Sequence, residues 1–551
     1  MTDKNLLTMR NMSIAGLVAG ILVASFIPVY TDEIGWRFQE RAAFDGVDKL
    51  FSDICGANTL AAPPFFMWPA RYFSSILNGM FADPAWVRVS GIIYALGIAW
   101  LLTLLVGRMA SGARERNLLT AFGVGLAALG MLPMLLAWSR PEQPILLATL
   151  GALLLANAGR PRAEIRTPPG TAWLRGAALL ALWVIAVSYH LKGLFLFPVF
   201  AACLWFCAQG RQTALPRAAI GLAGLVVTAL ATQYWLGRMA CPDSAILRAA
   251  FAQNSIGAEI GAVASFGDAW ELLLAMLGNV TLLGYVVHTV PNEFPLSYWL
   301  PARQIGEQSS FAWFLATVVL WGAALIAGFV GLRAVIVRAV RQREFDRRIV
   351  LALATAITIV GWSASQNWRN VYEAPFVVLL IVIALLFVLA ASGIAARDGK
   401  VLAATAALFA LLGYINPLAL GMLWGPAMAQ AWSQTGFVKE QPYSVALRGY
   451  SQVREEVMAT AKLCQLPPPE AASGVLVDEV TYFAYMQSRL PQHRLGVLSV
   501  WNGEIDDPVA YLESRGSDGL LLGCHLLKGD LRQRVKQNGR FCCLRLEGDK
   551  E

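Results

Sequence analysis

From residue 89 to residue 423 the chain repeats one pattern, an apolar run followed by a short link, and several of these links gather arginines. Crossing a bilayer takes about 20 apolar residues, and a chain inside lipid must satisfy its own backbone polar groups, so such runs can only be helices. They fall at 89–106, 118–138, 144–156, 177–189, 193–207, 218–235, 311–337, 350–363, 375–391 and 401–423, preceded by one at 12–29, about eleven in all. With 57% hydrophobic and 15% charged residues, a 551-residue chain cannot bury itself as a soluble globule. The expected fold is a mainly α, polytopic membrane body.

The links fix its orientation. Basic stretches at 107–116 and 160–175, and Arg338, Arg341, Arg343, Arg347 and Arg348, belong inside by the positive-inside rule. The formal charge of +8 therefore belongs to membrane topology, and nucleic acid is not an expected partner. Lys4 and Arg10 keep the N-terminus inside; Val23-Ala24-Ser25 is a weak signal-peptidase match, and the first run is read as an uncleaved anchor. A further apolar piece, 270–290, would invert every later link if it crossed alone, so it is expected to re-enter or lie on the surface. External loops then occupy 31–88 and 236–310.

Residues 1–424 form the expected membrane body, and 425–551 change character to a polar α/β domain on the outer, periplasmic side. Its β-rich runs lie at 474–477, 496–500, 519–522 and 541–546. Cys542 and Cys543 are successive in a strand, face opposite sides and need different partners. Cys464 and Cys524 are the nearest choices, Cys55 and Cys241 are also external, and the sequence leaves the pairing open.

Chemistry-bearing residues cluster at external ends of the runs. Asp32 and Glu33 emerge where the first run ends; ionisable groups at membrane depth point to function, and a buried carboxylate gains basicity, which makes Asp32 the preferred base. Glu142 sits in Ser139-Arg140-Pro141-Glu142, which also reads as a capping box with Ser139 at the N-cap and Glu142 at N3. In the functional reading Glu142 faces Asp32, orients an acceptor or helps hold a cation, and Arg140 binds phosphate. His190 and Lys192 lie at a tight external turn, where Lys192 either snorkels or neutralises a lipid phosphate with His190 beside it. Arg369, near Tyr372, poses the same choice. The chain has no GxxxxGK[ST] phosphate loop, no HExxH or CxxC metal signature and no cytoplasmic strand-loop-helix segment for a nucleotide-sugar, which disfavours an energised pump or a cytoplasmic nucleotide-sugar enzyme.

These pieces together resemble the GT-C superfamily of integral membrane glycosyltransferases, especially the bacterial protein mannosyltransferase and aminoarabinose transferase branch. The resemblance rests on Asp32-Glu33, Pro63-Pro64-Phe65, Arg88, Arg140-Pro141-Glu142, His190-Leu191-Lys192-Gly193, and Asn367 through Tyr372 to Pro375. The last motif departs from the family pattern, since Asn370 and Val371 separate Arg369 from Tyr372. The resemblance implies a polyprenyl-phosphate-linked sugar donor and a glycan, lipid or protein acceptor. Asp32, with Glu33 and Glu142, would carry catalysis by a single inverting displacement. Lys192, His190, Arg140 and Arg369 would meet the leaving phosphate. No cofactor is required, and a divalent cation is allowed but not demanded. Two other classes compete, a transporter or flippase of lipid-linked sugars and a membrane-anchored glycan-binding protein.

Overall fold

A computed structural model describes residues 2–30, 33–35, 83–157, 169–207, 213–239, 307–342, 346–365, 374–394, 399–438, 441–472, 474–486, 490–491, 507–514, 517–527 and 529–546, with isolated positions between 265 and 274. Asp32, Arg369, Cys55, Cys241, Pro63-Pro64-Phe65 and most of 270–290 lie outside these residues.

The body comprises helices α1 (Asp3–Val23), α2 (Pro84–Met109), α3 (Ala113–Ala127), α4 (Leu132–Leu136), α5 (Glu142–Ala156), α6 (Pro169–Tyr189), α7 (Phe197–Cys207), α8 (Ala214–Met239), α9 (Glu307–Gln342), α10 (Arg347–Ser365), α11 (Ala374–Ser392) and α12 (Lys400–Ser433). Each of the about eleven expected apolar runs contains helix, and among the described residues 7 helices are long and apolar enough to cross a membrane, with Glu142–Ala156 and Leu191–Cys207 shorter.

Local chemistry explains where they start and break. α2 begins five residues ahead of its apolar run because Asp83 caps it, accepting the Trp86 N–H at 2.9 Å, with Pro84 in the first turn. The run at 118–138, expected as one span, is two helices. α3 ends before Gly130, which takes φ +59°, and the Asn416 amide of α12 donates to the freed carbonyls of Ala128 and Gly130 at 2.9 and 2.8 Å.

α1 packs between α3 and α12 through small residues. A Cβ on Gly16 would collide with the Gly413 carbonyl, and Gly125 lies against Ser13 and Phe409. α12 has 34 residues and carries on to Ser433, beyond its apolar run. At ~1.5 Å per residue that is about 50 Å, against a hydrocarbon core of about 30 Å, so one helix carries the chain out of the bilayer into the tail.

The tail holds a five-stranded sheet in the order β5-β4-β6-β8-β7, built from β4 (Val475–Val477), β5 (Leu490–Pro491), β6 (Gly519–Gly523), β7 (Lys536–Asn538) and β8 (Phe541–Arg545). β4, β5 and β6 run parallel, and β8 joins antiparallel. Helix α13 (Tyr450–Leu463) packs on β7 and β8. The adjacent cysteines do take different partners: Cys543 bonds Cys464 at the end of α13, and Cys542 bonds Cys524.

A second, smaller sheet ties the tail to the body. β1 (Val29–Tyr30), which follows α1 after a short 3-10 turn at Ala24–Phe26, pairs antiparallel with β3 (Gln441–Val445), which also pairs with β2 (Phe437–Val438). Val29, Ile34 and Val87 of the body are fully buried in one apolar cluster with Ala431, Val445, Val480 and Tyr482. A strand of two residues is too short to announce itself, and its partner lies more than four hundred residues away.

Candidate active site

The end of α1, the start of α2, the start of α5 and the turn after α6 meet at one end of the body. Glu33 and Arg88 make the first part of the site. Glu33 is fully buried, and its Oε1 accepts Arg88 Nη2 at 2.7 Å and the Tyr30 N–H at 2.9 Å. Its Oε2 accepts Arg88 Nη1 at 3.1 Å and the Ser139 N–H at 2.7 Å. The guanidinium also donates to the carbonyls of Pro28, at 2.8 Å, and Ala137, at 3.1 Å. This two-pronged arginine–carboxylate geometry is the strong form of the pair. Glu33, expected as a catalytic acid, therefore has both oxygens occupied and stitches the first loop to the second. Gly91, one turn past Arg88, allows that approach, because a Cβ there would run into the Ala137 carbonyl. Gln143 closes the same seam, donating to Gly91 O at 2.7 Å and Leu136 O at 2.6 Å.

The second part forms around Glu142. The capping-box reading fails: α5 begins at Glu142 itself, Pro141 stands at the cap position, and no side chain caps the helix. Ser139, the expected cap, instead gives its N–H to Glu33 and approaches the Ser90 hydroxyl at 3.3 Å. Glu142 reaches across to Lys192, whose Nζ lies 2.6 Å from Oε1, while Arg140 Nε lies 3.3 Å from Oε2. All three side chains are buried, and Lys192 is 0% exposed, so its ammonium does not snorkel.

A short 3-10 turn, Leu191–Leu196, sets Lys192 in place. His190 caps it, its Nδ1 accepting the Lys192 N–H at 3.2 Å, which leaves Nε2 to carry the ring proton when the imidazole is neutral. Gly193 keeps the turn tight against α6, since a Cβ would strike the Ala186 carbonyl. Arg140, His190 and Lys192 each have further partners beyond those named.

Five of the seven expected site residues thus meet here, Glu33, Arg140, Glu142 and Lys192 buried and His190 half-buried at the edge, while Asp32 and Arg369 lie outside the described residues. Among the described residues no three His, Cys, Asp or Glu side chains are grouped to hold a metal ion, and both Glu142 oxygens face cations. Sequence reasoning missed the role of Arg88. The available signal was a lone arginine at the edge of an apolar run, which in a membrane demands a partner.

No protein-family model matches the sequence, and no curated protein matches it. Among solved structures, the chain is similar to the Archaeoglobus fulgidus oligosaccharyltransferase tethered with an acceptor peptide containing the NVT sequon, at 12% identity over 93% of this chain and 69% of that one, with a TM-score of 0.40. It is similar also to the archaeal oligosaccharyltransferase AglB from Archaeoglobus fulgidus in complex with an inhibitory peptide and a dolichol-phosphate, at 14% identity over 93% and 69% of the two chains, with a TM-score of 0.39.

Proposed function

We propose that the chain is an inverting glycosyltransferase of the GT-C type, of the kind found in the protein mannosyltransferase and aminoarabinose transferase branch. It would take a sugar from a polyprenyl-phosphate carrier at the outer face of a bacterial inner membrane and pass it to a hydroxyl of a glycan, lipid or protein in the cell envelope. One observation carries the reading. Three motifs far apart in sequence, Glu33 after the first span, Ser139 to Glu142, and His190 to Lys192, meet in one buried layer at one end of the helical body. The two disulfides of the tail suit an oxidising compartment on that side.

Asp32, the residue before the anchored Glu33, is the proposed base. The acceptor oxygen bonds to the anomeric carbon as its proton passes to Asp32. The bond from that carbon to the phosphate oxygen breaks with its electron pair, and polyprenyl phosphate leaves. Attack from the face opposite the leaving group inverts the configuration. Glu33 holds Asp32's segment in place through Arg88 and Ser139. Arg140, Lys192, His190 and Arg369 stabilise the charge that develops on the phosphate, the kind of preorganised electrostatics that lowers such barriers most. Glu142 holds Lys192 and Arg140 in position for it. No divalent cation is needed in this scheme.

The test is transfer in membranes from a panel of polyprenyl-phosphate sugars, with the unaltered protein, Asp32→Asn and Glu142→Gln at matched expression. The reading expects transfer by the unaltered protein, its loss in Asp32→Asn and its reduction in Glu142→Gln. Movement of sugar-lipid across vesicles that survives Asp32→Asn, with no transfer from any donor, would establish a transporter instead.

A further inference from the structure

At the other end of the helical body, α1, α2 and α3 line a half-open cavity of about 330 Å³ bordered by Arg10, Thr103, Leu104, Arg108, Arg116 and Thr120. Along α2, Arg108 stands about 30 Å from Arg88 at ~1.5 Å per residue, so the cavity and the candidate active site lie a membrane's thickness apart. The volume falls in the range of small-ligand sites.

The lining is basic: Arg108 and Arg116 are exposed and Arg10 is half-buried, while Thr120 lies at the buried base. Three guanidiniums converge here, and no salt bridge among the described residues engages any of them. Arg10 has only a long 3.4 Å contact to the Asn117 amide oxygen. The nearby carboxylates are committed elsewhere: Glu115 accepts the Ser111 N–H at 2.7 Å, and Asp346 is held by Arg348, which itself reaches the Met109 carbonyl. Thr120, 1% exposed, presents a hydroxyl with no hydrogen-bond partner, a state that buried polar groups rarely tolerate. The Thr103 hydroxyl, by contrast, is satisfied by Ala99 O. Beside the mouth, Leu104 is 40% exposed and Trp100, one turn earlier on α2, is 63% exposed, which leaves an apolar strip on the lipid side.

We propose that this cavity binds the phosphate head group of an anionic membrane lipid. Arg10, Arg108 and Arg116 meet the phosphate oxygens, for which guanidinium geometry is suited, and Thr120 donates its unused hydroxyl. The acyl chains run along Leu104 and Trp100, which favours a lipid over a soluble phosphate. Basic pockets between transmembrane helices are established places for such head groups. The proposal does not rest on the transferase reading.

The full chain would be placed in phosphatidylcholine nanodiscs with and without phosphatidylglycerol, or with inorganic phosphate, and followed by thermal unfolding and by native mass spectrometry of retained lipid. Phosphatidylglycerol should raise the unfolding temperature and remain bound, while inorganic phosphate should do neither. Arg108→Gln with Arg116→Gln should weaken retention roughly thirtyfold, at ~1 kcal/mol per basic residue. Thr120→Val, which keeps the volume, should weaken it about tenfold. Both variants should unfold like the unaltered protein in phosphatidylcholine alone, and Arg108→Lys should keep most of the binding. Equal phosphatidylglycerol effects in all variants, or full reproduction of the effect by inorganic phosphate, would overturn the assignment.

Discussion

Replacing Arg88 with leucine removes a guanidinium that supplies two of the four hydrogen bonds to Glu33 and one each to Pro28 O and Ala137 O. The carboxylate, fully buried, keeps only the N–H groups of Tyr30 and Ser139. Breaking a buried ion pair from one side costs about 3–5 kcal/mol, because the remaining charge has lost its partner without regaining water. At 1.4 kcal/mol per factor of ten, that is roughly a thousandfold in the folding equilibrium. The decisive assay is a double-mutant cycle by reversible unfolding in mixed micelles, with Arg88→Leu, Glu33→Leu and the two together. Each single variant already forfeits the shared pair, so the double variant should fall short of their sum by at least about 2 kcal/mol. Additivity within about 0.5 kcal/mol would refute the reasoning, since it would mean that the two side chains do not depend on each other.

Other outcomes follow from the same structure. Loop-closure entropy gives the Cys464–Cys543 bridge, 79 residues apart, about 4–5 kcal/mol and the Cys524–Cys542 bridge, 18 apart, about 3 kcal/mol, so Cys464→Ser with Cys543→Ser should lower the tail's stability more than Cys524→Ser with Cys542→Ser in urea titrations. Burial pushes the Tyr485 phenol up to about 12, with Glu470 adding to the shift. An acid raised by folding stabilises below its unfolded value near 10 and loses that contribution as pH rises through the folded value, so tail stability should fall between pH 10 and about 12; Tyr485→Phe should flatten that fall. Gly16→Leu should cost about 1–3 kcal/mol or more and weaken α1–α12 packing, read by unfolding in the same micelles, because no side chain fits against the Gly413 carbonyl.

Among the described residues, hydropathy identified the helical runs of the body because the need to satisfy backbone groups in lipid leaves no other structure to choose. It could not see where a run would break. The division of 118–138 depends on the Asn416 amide, which comes from a helix nearly three hundred residues later. The positions of Glu33, Glu142 and Lys192 at the ends of runs were legible from charge alone. Their roles were not, because a carboxylate's partner is a matter of three-dimensional proximity: Glu33 found Arg88 and Ser139, and Glu142 found Lys192 in place of the local N-cap that its motif suggested. The cysteine alternation in β8 was readable from strand geometry, whereas the choice between Cys464 and Cys524 required the fold.

The pairing of β1 with β3 has a consequence for the order in which the molecule is made. Val29 and Tyr30 are synthesised and inserted early, yet their hydrogen-bond partners, Val445 and Ser444, arrive only after the last helix has entered the membrane. Contacts between such distant parts of a chain close late. A ribosome-bound or prematurely ended copy would hold its spans in the bilayer while the stretch leading to the acid pair had no strand to rest on. The bracing of that stretch thus waits until the chain has passed Val445, and a copy that stopped before β3 would leave Val29 and Tyr30 without their strand partner.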